Sequence, residues 1–171
     1  EETAQRTELG FAHATIARME AALGRDAGCR RRAQAGFAAD AASGLLLASV
    51  LAGAALGLLE LGRGDPEAAI VALEPVERIV REGKLGEPWL AQWAPDLVEA
   101  YSRIGRTDRA VAVLETFVRQ AQATGRVSAQ AAAARCRGLL AADDAFEGLF
   151  DAALALHELV PTPFERARTE L

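Results

Sequence analysis

The sequence contains no asparagine, and Lys84 is the only lysine among its 19 basic residues. That bias reflects GC-rich coding more than any physical constraint. Aromatic residues make up 5% of the chain, and there are two cysteines. Cys29 and Cys136 lie far apart with no second cysteine beside either. Two buried, reduced thiols are expected; a disulfide would need an oxidising compartment, of which there is no sign. No Gly-rich loop ends in Gly-Lys-Ser or Gly-Lys-Thr, so a phosphate cradle of that kind is excluded. No Ser or Cys sits in a nucleophile elbow. His13 and His157 have no acidic or cysteine neighbours at metal-ligand spacing, and Asp143-Asp144 reads as a helix cap, not a metal pair. No catalytic residue, metal or cofactor is expected, and the chain does not read as an enzyme. A net charge of −5 argues against direct nucleic-acid contact.

What is present is apolar and small. The hydrophobic fraction is 51%, and alanine is the commonest residue. Alanine favours helix and lets helices approach closely, so the composition predicts an all-α protein with tight packing. The stretch from Ala41 to Leu59 carries no charge. It is rich in Ala, Gly and Ser, and acids rather than basic clusters flank it, so a helix buried on all sides is expected, not a membrane span.

The helical hairpin from Leu45 to Gly83 organises the chain. Its first arm ends at Leu61. Gly62-Arg63-Gly64-Asp65 stops that arm and starts the next, with Asp65 as cap and Pro66 in the first turn. Gly53 and Gly57 predict a close backbone crossing. Ile70, Leu73, Val76, Ile79 and Val80 form the apolar stripe of the second arm, and a kink is expected at Pro75. Before this hairpin, a helix over Thr3–Leu23 places Leu9, Ile16, Met19 and Leu23 on one side, and Arg30–Ala42 follows. After it come Pro88–Ile104, either bent or restarted at Pro95, then Asp108–Ala123 with Thr107 as cap, Val127–Ala141, and a helix from Asp143-Asp144 to Leu159. Thr162-Pro163-Phe164-Glu165 reads as a capping box opening a last helix. The expected hairpins are about 3–42, 44–82, 88–123 and 127–159, with a truncated helix at 162–171. Both ends read as cuts from a longer chain, and 1–171 as one domain.

The hairpins carry a tetratricopeptide repeat spacing. Leu56-Gly57, Gly64, Ala69 and Leu73 fit it, as do Leu97, Tyr101, Gly105, Ala110 and Leu114. Ala145 and Leu149 fit loosely, and the opening pair barely fits. The expected fold is a superhelix of antiparallel helix pairs, a TPR-like helical repeat or solenoid.

Several runs resemble one family. Trp93-Ala94-Pro95-Asp96-Leu97-Val98-Glu99-Ala100, Gly105-Arg106-Thr107-Asp108-Arg109-Ala110 and, most specifically, Pro163-Phe164-Glu165-Arg166-Ala167-Arg168-Thr169-Glu170-Leu171 are similar to the C-terminal part of large ATP-binding bacterial transcriptional regulators of the LuxR family, MalT-like type. The last run looks like the segment shortly before that family's DNA-binding domain. The resemblance covers roughly residues 44 to 171 and implies a cytoplasmic sensor or protein–protein interaction role in transcription regulation. The family's ATPase motifs and recognition helix have no counterpart here.

Both tryptophans and the only tyrosine fall between positions 89 and 101. Trp89, Gln92, Trp93 and Asp96 share one face if the helix is continuous, with Tyr101 beyond. In a solenoid the first helix of each hairpin lines the concave groove, so these five are the candidate ligand- or partner-binding residues. Packing around Pro95 is the competing reading of Trp89 and Trp93. The expected function is binding of a small inducer or a protein partner on the concave face, modulating self-association as a homo-oligomer. A stand-alone scaffold module for protein assembly is the alternative.

Overall fold

The computed structural model describes residues 2–83, 87, 92–142 and 145–171, with side chains from residue 7 onward. Among the described residues there are nine helices. They are α1 (Glu2–Ala22), α2 (Asp26–Ser43), α3 (Leu47–Gly62), α4 (Pro66–Glu82), α5 (Trp93–Arg103), α6 (Thr107–Thr124), α7 (Val127–Leu139), α8 (Phe146–His157) and α9 (Pro163–Glu170). The fold is all-α, as the alanine-rich composition requires. The chain forms two compact units, 1–85 and 86–171.

The first unit stacks two antiparallel hairpins, α1–α2 and α3–α4, with α3 packed on both α1 and α2. The second repeats that plan with α5–α6 and α7–α8, α7 touching α5 and α6, and α9 added on α8. Neighbours in sequence are neighbours in space, as short connections dictate.

One turn closes three of the hairpins. Gly24, Gly64 and Gly105 adopt φ of 67°, 78° and 73°. The next residue's N–H donates to the carbonyl five positions back: Arg25 to Glu20 at 2.8 Å, Asp65 to Glu60 at 2.9 Å and Arg106 to Tyr101 at 2.9 Å. This is the double-bonded glycine C-cap, which needs the left-handed backbone glycine adopts freely. The opening hairpin, which barely fits the repeat in sequence, therefore turns as the α3–α4 and α5–α6 hairpins do.

The α3–α4 crossing is as close as Gly53 and Gly57 imply. A Cβ on Gly57 would stand 2.4 Å from Leu73 Cγ, and one on Gly53 2.5 Å from Val76 Cγ2. The repeat positions Ala69, Leu73, Leu97, Tyr101 and Ala110 are fully buried. Asp65 caps α4, accepting from Ala68 N at 2.9 Å. α4 runs unbroken through Pro75, whose ring lies on the exposed side. Both cysteines are buried free thiols. Among the described residues no helix is long and apolar enough to cross a membrane.

Several expectations are corrected. Leu9, Ile16 and Met19 share one side of α1 with Leu23 just past its end, as expected, but that side is the outer one, with Leu9, Met19 and Leu23 exposed, and the helix buries Gly10, Ala14, Ala17 and Ala21 instead. Small residues win the inner face because α1 approaches α2 too closely for large ones: a Cβ on Gly10 would stand 2.4 Å from Ala39 Cβ. α2 starts at Asp26, not Arg30, so an acid occupies its first turn and suits the helix dipole. Thr107 opens α6 as a helical residue and does not cap it. The expected capping box at Thr162 does not form: its hydroxyl pairs with His157 Nδ1 at 2.9 Å, and Glu165 turns to Arg168 at 3.3 Å. Asp143-Asp144 lies outside the described residues.

Candidate functional site

The second unit holds a buried polar centre, built from α5, α7, α8 and α9. α5 supplies Asp96 and Glu99 three positions apart, nearly one turn, so both carboxylates point to one side. Its buried stretch from Ala94 to Tyr101 is continuous. Glu99 receives three arginines. Arg103 Nη2 donates to its Oε1 at 2.6 Å, while Arg135 Nη1 at 2.8 Å and Arg168 Nη2 at 2.7 Å donate to its Oε2. Arg168 also reaches Asp96 Oδ1 with Nη1 at 2.7 Å. Thus α9, the run Pro163 to Glu170, is tied to α5 by a two-pronged guanidinium.

The seat of α9 is polar throughout. Its buried residues are Glu165 and Thr169. Thr169 Oγ1 stands 3.2 Å from His157 Nε2 and donates to the Glu165 carbonyl at 3.0 Å. His157, at the end of α8, is thereby held between Thr162 and Thr169. A helix of eight residues has little stability alone; this one depends on charge pairs more than on apolar burial.

Burial by itself would raise the Glu99 carboxyl pKa, but Arg168, Arg135 and Arg103 outweigh it and hold it below the usual range. Burial pushes the His157 imidazole below its ordinary value, so the ring is neutral near pH 7. Burial also drives the Cys136 thiol up to about 11. Arg135 is almost fully buried, and its Nη2 finds no hydrogen-bond partner among the described residues. An orphaned buried donor costs about 1–3 kcal/mol, so the network is incompletely satisfied.

The five sequence candidates fall in different places. Trp89 lies outside the described residues. Gln92 precedes α5 with φ of 50°, the one non-glycine at positive φ among the described residues. Trp93 is the first residue of α5, and both are half-buried. Because α5 begins at Trp93, Gln92 does not share a helical face with Asp96, and Pro95 occupies the first turn, where its missing N–H costs nothing. Asp96 and Tyr101 are 0% exposed. Asp96 is engaged by Arg168, and the Tyr101 hydroxyl accepts from Arg109 Nη2 at 3.1 Å. The structure thus keeps Gln92 and Trp93 at the edge of α5 and Asp96 and Tyr101 in its interior.

Sequence reasoning missed Glu99, Arg135 and Arg168. An acid–arginine network spread over 36 and 69 positions has no periodicity to betray it. The available signal was Glu99 in a run otherwise apolar from Leu97 to Ala100.

Arg30 pairs with Asp26 and Glu60, and Arg32 Nη1 meets His13 Nδ1 at 3.0 Å, so both are engaged within the fold. Among the described residues no group of His, Cys, Asp and Glu is arranged to hold a metal. Comparison of the chain with protein-family models, curated proteins and solved structures returns no match.

Proposed function

We propose that this chain is the sensor and interaction domain of a bacterial LuxR-type transcriptional regulator, binding a small inducer or a protein partner beside α5 and modulating self-association. The observation that carries the reading is the Arg168 bridge. Residues 93–100 and 163–171 are two of the three runs that resemble such regulators, and Arg168 of the second donates to Asp96 and Glu99 of the first. An effector that displaces α5 strains these pairs and so changes how firmly α9 is held. Binding must favour one of the two arrangements, since equal affinity for both shifts nothing. Gln92, held at positive φ beside Trp93, supplies stored backbone strain at the edge where the effector would dock.

The test is a thermal-shift screen against small metabolites, since a ligand binding only the native state raises its apparent stability. Trp93→Ala is expected to abolish the shift given by a hit while leaving the helical circular dichroism intact. A Trp93→Ala protein that has lost its fold marks Trp93 as a packing residue and removes it from the site.

A further inference from the structure

We infer that α9 is a latch that opens without unfolding the rest of the second unit, and that Arg135 sets how tightly it closes by sharing Glu99 with Arg168. No ligand is needed for this, so the latch stands or falls apart from the effector reading of α5.

What docks α9 is polar, and the docking groups also have partners on α9 itself. Its buried residues are Glu165 and Thr169, so little apolar area resists its departure. On release Arg168 gives up Asp96 and Glu99 but keeps Glu165, whose Oε2 lies 3.3 Å from its Nη1, and the ring of Phe164, 5.9 Å from its Cζ. Thr169 gives up His157 but goes on donating to the Glu165 carbonyl at 3.0 Å. Thr162 precedes the helix and keeps its place on His157.

The socket is balanced in the same way. α5 retains Asp96 and Glu99, with Arg103 and Arg135 still on Glu99, and water reaches Asp96 as the helix leaves. α9 takes away one charge of each sign, Glu165 and Arg168. Release therefore avoids the penalty that follows when one member of a buried pair is removed from a socket still closed.

Arg135 favours the open state. Its Nη1 donates to the same Glu99 oxygen as Arg168 Nη2, at 2.8 and 2.7 Å, while Arg103 holds the other oxygen. Arg135 is 2% exposed, and its Nη2 has no partner among the described residues. With Arg168 on that oxygen, Arg135 meets the carboxylate by one prong. Once Arg168 leaves, the oxygen and entering water are open to Nη2. The orphaned donor burdens the closed state alone, by about tenfold in the latch equilibrium.

Hydrogen exchange in a urea series tests the latch. In the native chain the amides of Arg166 to Leu171 should exchange about a hundredfold faster than those of α5, through a local opening that urea hardly affects. Arg135→Met should slow that opening by about tenfold, since Glu99 Oε2 then belongs to Arg168 and no donor is orphaned. A merely cohesive Arg135 predicts the reverse. Ala167→Pro should break α9 yet leave the protection of α5 and α7 as in the native chain. Exchange of α9 only together with α5, faster exchange of α9 in Arg135→Met, or loss of α5 protection in Ala167→Pro each overturns the inference. An Arg135→Met chain that fails to fold overturns the role given to Arg135, and Ala167→Pro then decides the latch by itself.

Discussion

Gly57→Ala is the sharpest probe of the α3–α4 crossing. In an open helix the change would gain about 1 kcal/mol, because alanine forms helix better than glycine. Here the new methyl would stand 2.4, 2.5 and 2.7 Å from three carbons of Leu73. Leu73 is 0% exposed, so the methyl is accommodated only by shifting Leu73 within a close-packed interior. Overpacking of that kind costs about 1–3 kcal/mol and here exceeds the helix gain. The net expectation is destabilisation by up to about 2 kcal/mol, read as a lowered urea midpoint with an unchanged slope. Gly62→Ala is the control, since a Cβ there meets nothing within 4 Å; it should stabilise by about 0.4–1 kcal/mol. Leu73→Ala alone should cost about 2–5 kcal/mol. Combined with Gly57→Ala it should cost at least about 1 kcal/mol less than the sum, because the new methyl fills part of the cavity. A stabilised Gly57→Ala protein, or strict additivity in the double variant, would refute the claim that the glycine exists to admit Leu73.

Acid should loosen the second unit in two stages. The His157 pKa is depressed in the folded state, so stability is whole above the ordinary value of 6.5 and begins to fall below it. The Glu99 pKa is also depressed, so a second loss sets in below its ordinary 4.5. Urea midpoints at about pH 8, 5.5 and 3.5 should decline in that order, with His157→Gln abolishing the first decline; a midpoint that is flat between the first two contradicts the assignment. Cys29 and Cys136 are both 0% exposed, with thiol pKa values pushed up to about 11. Alkylation of each should track the opening of its own unit, and rapid labelling of either in native buffer would contradict its burial.

Much of the architecture could be read from the chain because it is written locally. Glycine at a helix end, aspartate before proline and a stripe at helical spacing each act within a few residues, and Gly64, Asp65 and the α4 stripe appear where those signals put them. α1 was legible as a helix but not in its facing. Periodicity finds an apolar ridge; it cannot tell that the alanine ridge packs first when two helices close to within a methyl group. The hydroxyl of Thr162 shows the same limit at a cap. A sequence pattern offers it the next helix's amides, while the fold offers a buried histidine. The polar centre around Glu99 was illegible for a different reason. Its members come from four helices, and only the packing of α5, α7, α8 and α9 brings them together.

The claim on which the functional account depends is that α5 and α9 form one mechanical unit through Arg168. A double-mutant cycle of Asp96→Asn and Arg168→Met tests it, read by hydrogen exchange of the amides in residues 163–170. Arg168→Met alone should cost about 3–5 kcal/mol of α9 protection, because buried charges lose their partner, and the cycle should return a coupling of at least about 1.5 kcal/mol between the two sites. Additive effects, with the protection of α9 indifferent to Asp96, would mean that the C-terminal helix does not feel the helix that carries the candidate site.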